Sequence, residues 1–89
     1  MSIMSINLHG LKLYSARLEA CEALSEAYHS GIPGVLFIHG YRGGTAIQQY
    51  LRGYKGIGSD LRRRYPELPL LNIESEGAGT TRIFFQENN

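Results

Sequence analysis

Cysteine is almost missing from this sequence. Cys21 stands alone, which excludes an intramolecular disulfide and a cysteine-based zinc site and leaves a buried core thiol as its simplest use. Long apolar runs are missing too. No segment reaches the roughly 18 consecutive apolar residues of a membrane span, and the N-terminus has neither the basic stretch nor the apolar run of a secretory signal. A cytoplasmic protein with no membrane partner is therefore expected. Excess charge is the third absence, since nine Lys and Arg against eight Asp and Glu leave a net charge of +1. Nucleic acid would feel no global attraction, so binding of that kind has to rest on local clusters. Arg62-Arg63-Arg64 is the clearest such cluster, and it reads equally well as a solvated helix end. No linker, low-complexity segment or long repeat divides the chain, so residues 1–89 form a single domain with a core of about residues 4–86. That length leaves room for one sheet and about two helices.

What is present centres on Val35 to Thr45, VLFIHGYRGGT. Val35-Leu36-Phe37-Ile38 is a β-branched and aromatic run that predicts a buried strand, and it stops at His39-Gly40. A glycine turn follows, and Thr45 to Gln48 has the Thr-x-x-Gln spacing of a capping box at a helix start. A phosphate or carboxylate over Gly43-Gly44 would meet free backbone N–H groups at close approach.

Around this stretch the chain reads β-α-β-α-β-β. Met4, Ile6 and Leu8 alternate with Ser5, Asn7 and His9, predicting a first strand with one open face. From about Leu13 the residues Leu18, Cys21, Leu24 and Tyr28 recur at helical spacing until Gly31 and Pro33. In the second helix Ile47, Tyr50, Leu51 and Tyr54 form an apolar stripe, which places Tyr54 in the core. Ser59 can cap a further helical piece over Asp60 to Tyr65, ended by Pro66. Leu70 to Glu74 and Thr81 to Gln86 are the last strands, joined by a glycine-containing turn. Right-handed crossovers make the first three strands parallel with both helices on one face, so His9-Gly10, His39 to Gly44 and the turn 74–80 leave from one sheet edge, where open α/β sheets bind ligands. His9 and His39 would then start from backbones about 5 Å apart.

These features resemble the Smr (small MutS-related) domain over about Ile6 to Phe85. The carriers are Asn7-Leu8-His9-Gly10 against an L-D-x-H-G motif, His39-Gly40 with its turn against H-G-x-G, and Glu76-Gly77-Ala78-Gly79-Thr80-Thr81 before the terminal strand. The resemblance implies a two-layer α/β fold like the C-terminal domain of translation initiation factor three, with sheet order 1-2-4-3 and an antiparallel fourth strand. It also implies nucleic-acid binding, and in some members DNA nicking or RNA cleavage helped by Mg²⁺ or Mn²⁺. On that basis His9 and His39 are the candidate catalytic residues. Asn7, Gly10, Gly40, Arg42, Gly43, Gly44, Gly77, Gly79 and Arg62 to Arg64 are the candidate phosphate contacts, and no structural metal is expected.

One position departs from the motif. Asn7 stands where the family has Asp, and an amide neither exchanges a proton nor binds a hard cation as a carboxylate does, so any cleavage should be weak. Glu76, in the last turn, is the nearest candidate substitute. Three functions stay open: nucleic-acid binding with weak cleavage, a phosphate- or protein-binding module without chemistry, and an interaction domain or homodimer. The last would use an apolar strip of Val35, Phe37 and Phe84 on the open sheet face. Tyr41, Tyr54 and Phe84 could stack on bases, although Tyr54 is more simply a core residue. Ile38 and Leu51 are expected between sheet and helices, and His29 is expected to favour a helix C-terminus.

Arg42, set inside the glycine turn, can grip phosphate with a planar fork. Arg42→Ala should weaken nucleic-acid binding across sequences and flatten its salt dependence, measured by titration between low and physiological salt. Unchanged affinity and slope would remove Arg42 from the interface.

Overall fold

A computed structural model describes residues 2–40 and 45–86. Tyr41, Arg42, Gly43 and Gly44 lie outside the described residues, so the expectations placed on them receive no structural account.

Two layers form the molecule. Strands β1 (Met4–Asn7), β2 (Gly34–Ile38), β3 (Leu71–Ser75) and β4 (Thr80–Phe85) make one sheet in the order β1-β2-β4-β3. β1 and β2 run parallel, and β4 lies antiparallel between β2 and β3. Helices α1 (Leu13–His29), α2 (Ala46–Arg52) and α3 (Ser59–Arg64), with a π-helical turn at Tyr54–Gly58, follow the expected order. The sheet order is the one the family resemblance implied.

The facing of β2 is the reverse of the expectation. Met4 and Ile6 pair with Val35 and Phe37, and the last two are fully buried beneath the helices. Leu36 and Ile38 take the open face, where Ile38 is 37 % exposed. An all-apolar strand carries no alternation, so its sequence cannot say which side is wet. The proposed strip of Val35 and Phe37 therefore does not exist. Phe84 does lie on the open face, in register with Gly34 and Asn72, and Arg82 sits over its ring at 5.9 Å.

Helix α1 packs through small residues. Ala16, Ala20, Ala23 and Ala27 are buried with Cys21 and Leu24, whereas Leu18 is half-buried and Tyr28 exposed. Small side chains let a helix axis approach the sheet closely, and of the large residues that recur at helical spacing Leu24 stays in the stripe while Leu18 and Tyr28 lie beside it. At its C-terminus His29 donates from Nδ1 to the Ser25 carbonyl at 2.8 Å, and its Nε2 lies 3.2 Å from Glu67. This agrees with a helix-end role.

Helix α2 ends where Gly53 turns extended, at φ −107° and ψ 124°. The chain then starts a new helical segment, so Tyr54 leaves the stripe and is 59 % exposed, while Ile57 takes the core position. This corrects the placement of Tyr54 in the core. Gly56 closes that corner, since a Cβ there would stand 2.7 Å from the Tyr50 carbonyl oxygen. Neither predicted cap forms. Thr45 caps no helix N–H and instead accepts a bond from the Gln49 side chain, and Ser59 already lies inside α3.

One buried charge ties the helices together. Asp60, 7 % exposed, accepts from the Tyr50 hydroxyl at 2.7 Å, from Arg63 at 2.7 Å and from the Arg17 Nε at 3.2 Å. Burial pushes the Asp60 carboxyl up, but the bonds from Tyr50, Arg17 and Arg63 outweigh it and hold it below its ordinary value. Burial also raises the Tyr50 hydroxyl and the Cys21 thiol, whose Sγ lies 3.5 Å from that hydroxyl. Cys21 is thus the buried core thiol expected of it.

Leu51, fully buried, and Ile38, on the open face, should separate in mutagenesis. Leu51→Ala should cost roughly 2 to 5 kcal/mol in urea unfolding, whereas Ile38→Ala should cost about 1 kcal/mol from partial burial alone. Equal losses would contradict the assigned faces.

Candidate functional site

The site forms where β1 and β2 end. Leu8 is fully buried, so strand alternation carries Asn7 and His9 outward. The Asn7 Oδ1 accepts the His9 backbone N–H at 2.9 Å, an Asx turn that closes the strand, and Gly10 follows at φ +87°. The His9 imidazole lies against Gly40, and a Cβ at position 40 would collide with it. Gly40 also has φ +74°, so a side chain there is disfavoured twice.

His9 and His39 leave opposite faces of the sheet. The parallel register that pairs Asn7 with Ile38, continued by the bond from the Leu8 N–H to the Ile38 carbonyl, sets Leu8 and His39 inward and His9 and Gly40 outward. His39 is 6 % exposed, and both its ring nitrogens are used internally. Nδ1 donates to the Gly40 carbonyl at 2.8 Å, and Nε2 lies 2.9 Å from the Thr81 hydroxyl. Burial, with a smaller push from Arg52, holds this imidazole below its ordinary pKa of 6.5, against the opposing effect of the Gly40 bond. By contrast, the His9 ring has no hydrogen bond among the described residues. Beside it opens a cleft of about 470 Å³ walled by Gly10, Leu13, His39, Gly40, Thr45 and Gln48.

The glycine turn between β3 and β4 is wired to this edge by its carbonyls. Gly79 accepts from the N–H groups of His39 and Gly40 at 2.9 and 3.0 Å. Gly77 accepts from Arg52 at 2.6 Å. Arg52 also donates to the Thr80 carbonyl at 2.9 Å and to the Thr81 hydroxyl at 2.9 Å. With its amide oriented to satisfy both neighbours, Gln48 donates to the Ala78 carbonyl and accepts from Arg52. Sequence reasoning missed Arg52, Thr81 and this use of Gln48. Their only linear signal is that Gln48 and Arg52 stand four apart on the polar side of α2.

The arginine run lies elsewhere. Leu71 marks the end of the sheet opposite Ser75 and Thr80, and Arg62 lines a separate cavity of about 590 Å³ with Tyr54, Pro66 and Leu71. Arg63 is engaged with Asp60, and Arg64 stacks over Tyr65 at 5.9 Å. Arg62 to Arg64 therefore do not join His9 and Gly40 in one site.

Glu76 does not join it either. It is bonded to Arg82 at 3.1 Å beyond β3, with β4 and β2 between it and β1. No three His, Cys, Asp or Glu side chains group around a metal position among the described residues. With Asn7 in place of an acid and its Oδ1 already used in the turn, the donors at His9 do not fit a protein-held Mg²⁺ or Mn²⁺.

Comparison with known proteins bears on the same residues. The model of the Smr domain family matches residues 6–66, which include both histidine motifs. The chain belongs to the Smr domain family. The crystal structure of the Smr domain of Thermus thermophilus MutS2 is similar at 26 % identity and a TM-score of 0.65, over 96 % of this chain and 100 % of that one. No curated protein matches. Smr domains bind nucleic acid and members of the family are nucleases. In this Smr domain the acid position of the first motif is held by Asn7, and no helix among the described residues is long and apolar enough to cross a membrane.

Because the folded chain disfavours the charged His39 ring, the unfolded chain binds the proton first as pH falls below 6.5. Stability carried by His39 is thus complete above that pH and drains as pH falls through the folded value. An NMR titration should place the His39 midpoint below 6.5. A midpoint at or above it would contradict a buried neutral ring.

Proposed function

We propose that this Smr domain binds nucleic acid along the edge formed by the ends of β1 and β2. The observation that carries the reading is His9, an outward imidazole seated on Gly40 at the mouth of a cleft of about 470 Å³. A phosphodiester strand laid across this edge meets an imidazole able to donate a hydrogen bond to phosphate or to take a proton from a nucleophile. Gly10 and Gly40 add no side-chain bulk between the strand and the backbone. Arg42, Gly43 and Gly44 belong to the proposed interface by sequence, between Gly40 and Thr45. Gly77 and Gly79 support it from beneath through their carbonyls, and Arg62 to Arg64 are left out of it.

On this reading His9 is the group that would do chemistry, and His39 is a supporting residue whose nitrogens are already committed. Cleavage of DNA or RNA is weak, because the side chain next to His9 is an amide that cannot share a proton. The second reading is a binding module with no cleavage. Asn7 favours it, for its Oδ1 still shapes the turn that presents His9 while the acid function is gone. A protein partner or second copy would instead use the open sheet face, which Leu36, Ile38 and Phe84 share with Arg82.

Asn7→Asp keeps the turn acceptor and restores an acid, so initial nicking of supercoiled plasmid at fixed Mn²⁺ and low salt should rise well above wild type. His9→Ala should abolish whatever cleavage exists. Strong wild-type cleavage unchanged by Asn7→Asp would show that no acid is needed at position 7. Retained binding with no cleavage by either protein favours the binding module. Affinity for nucleic acid that ignores salt would sink the phosphate-based reading altogether.

A further inference from the structure

His39 and three groups in series with it fix one another's hydrogen-bond direction. The Gly40 carbonyl can only accept, so the His39 Nδ1 at 2.8 Å carries a proton. In a neutral ring Nε2 is then a lone pair, and the Thr81 hydroxyl at 2.9 Å donates to it. That spends the only proton of Thr81, whose oxygen accepts in turn from the Arg52 Nε–H at 2.9 Å. A guanidinium can only donate, so the series runs one way, from Arg52 through Thr81 and His39 to Gly40. Thr81 is fully buried. Reversing its hydroxyl would leave a buried O–H without an acceptor, which is costly.

The series ends at the floor of the candidate site. The Gly40 carbonyl is held by His39 and its N–H by Gly79, so the backbone of this residue is held on both sides of its Cα beneath the His9 ring. Arg52 anchors the other end, since it also holds the carbonyls of Gly77 and Thr80 from the same glycine turn. Among the described residues the polar and charged groups around His39 are Arg52 and Gln48 from α2, Thr45 before it and Thr81 from β4, while the His9 ring lies on the far side of Gly40.

We propose that Arg52 is a positioning residue: through Thr81 it holds His39 in the single Nδ1–H tautomer, and His39 thereby fixes the Gly40 backbone on which His9 rests. Its consequence for nucleic acid rests on the binding reading above, whereas the relay itself does not.

The test uses the ¹⁵N-labelled full chain. Long-range ¹H–¹⁵N imidazole spectra should show the Nδ1–H pattern for His39 in wild type. Thr81→Val, which removes the hydroxyl at nearly constant volume and charge, should give mixed tautomers and shift the His9 ring signals, and Thr81→Ser should restore the wild-type pattern. Arg52→Gln should resemble Thr81→Val, and if it fails to fold the two Thr81 variants decide alone. Affinity for a single-stranded oligonucleotide at low salt should fall about tenfold in Thr81→Val, the equivalent of one charge-assisted contact. An Nε2–H tautomer in wild type, or an unchanged pattern in folded Thr81→Val, overturns the proposal. A tautomer change with no oligonucleotide binding by wild type would overturn the nucleic-acid reading and leave the relay standing.

Discussion

Pairing of β2 with β4 is the constraint on which the rest of the molecule depends. It joins Gly34–Ile38 to Phe84–Thr80, two segments from far apart in the chain, and it places β4 inside the sheet. Closing so long a loop has an entropic cost that local turns avoid, and the burial of Val35, Phe37, Thr81 and Ile83 along this pair offsets it. The contacts beneath the candidate site are downstream of that register. It brings His39 to Thr81 and Gly40 to Gly79, and it carries the glycine turn to within reach of Arg52. A slip of one residue would turn His39 to solvent.

A second fixed point stands among the helices. Asp60 is charged and nearly buried, an arrangement tolerable only because Tyr50, Arg17 and Arg63 surround it. Arg17 lies 5.4 Å above the Tyr50 ring as well, so α1 and α2 meet at one side chain. The two arginine networks have different tasks. Arg17 and Arg63 neutralise a charge within the helical layer, whereas Arg52 spans from that layer to the sheet edge and sets backbone carbonyls there.

Much of this was legible in the sequence, and each failure has its own physical cause. The alternation of Met4 to His9 gives the facing of β1 directly, and Thr81 to Phe85 gives that of β4. Val35 to Ile38 offers no alternation, so the facing of β2 had to come from its partners, and the apolar strip and the core role of Ile38 were misplaced together. Tyr54 fits the helical period of α2, but the period ends at Gly53, where the backbone turns extended. The motifs led to the contact between His9 and Gly40 because each is marked by its neighbours in the chain. The Arg52 relay draws on three separate segments, and no local pattern marks it. His39 shows the limit in another way: sequence shows that a histidine ends the strand, not which face it takes.

Gly56 carries a consequence out of proportion to its size. The corner between α2 and the π-helical turn is closed by backbone against backbone, with the space for a Cβ already filled by the Tyr50 carbonyl 2.7 Å away. Any side chain there acts as a wedge at the narrow end of a lever whose other arm is α3. Spreading the corner would draw Asp60, with Arg63 beside it on the same helix, away from the Tyr50 hydroxyl and leave that buried phenol without its carboxylate acceptor. The tolerance of this fold to change at its most charged buried position is thus set by an atom that is absent four residues earlier in the chain.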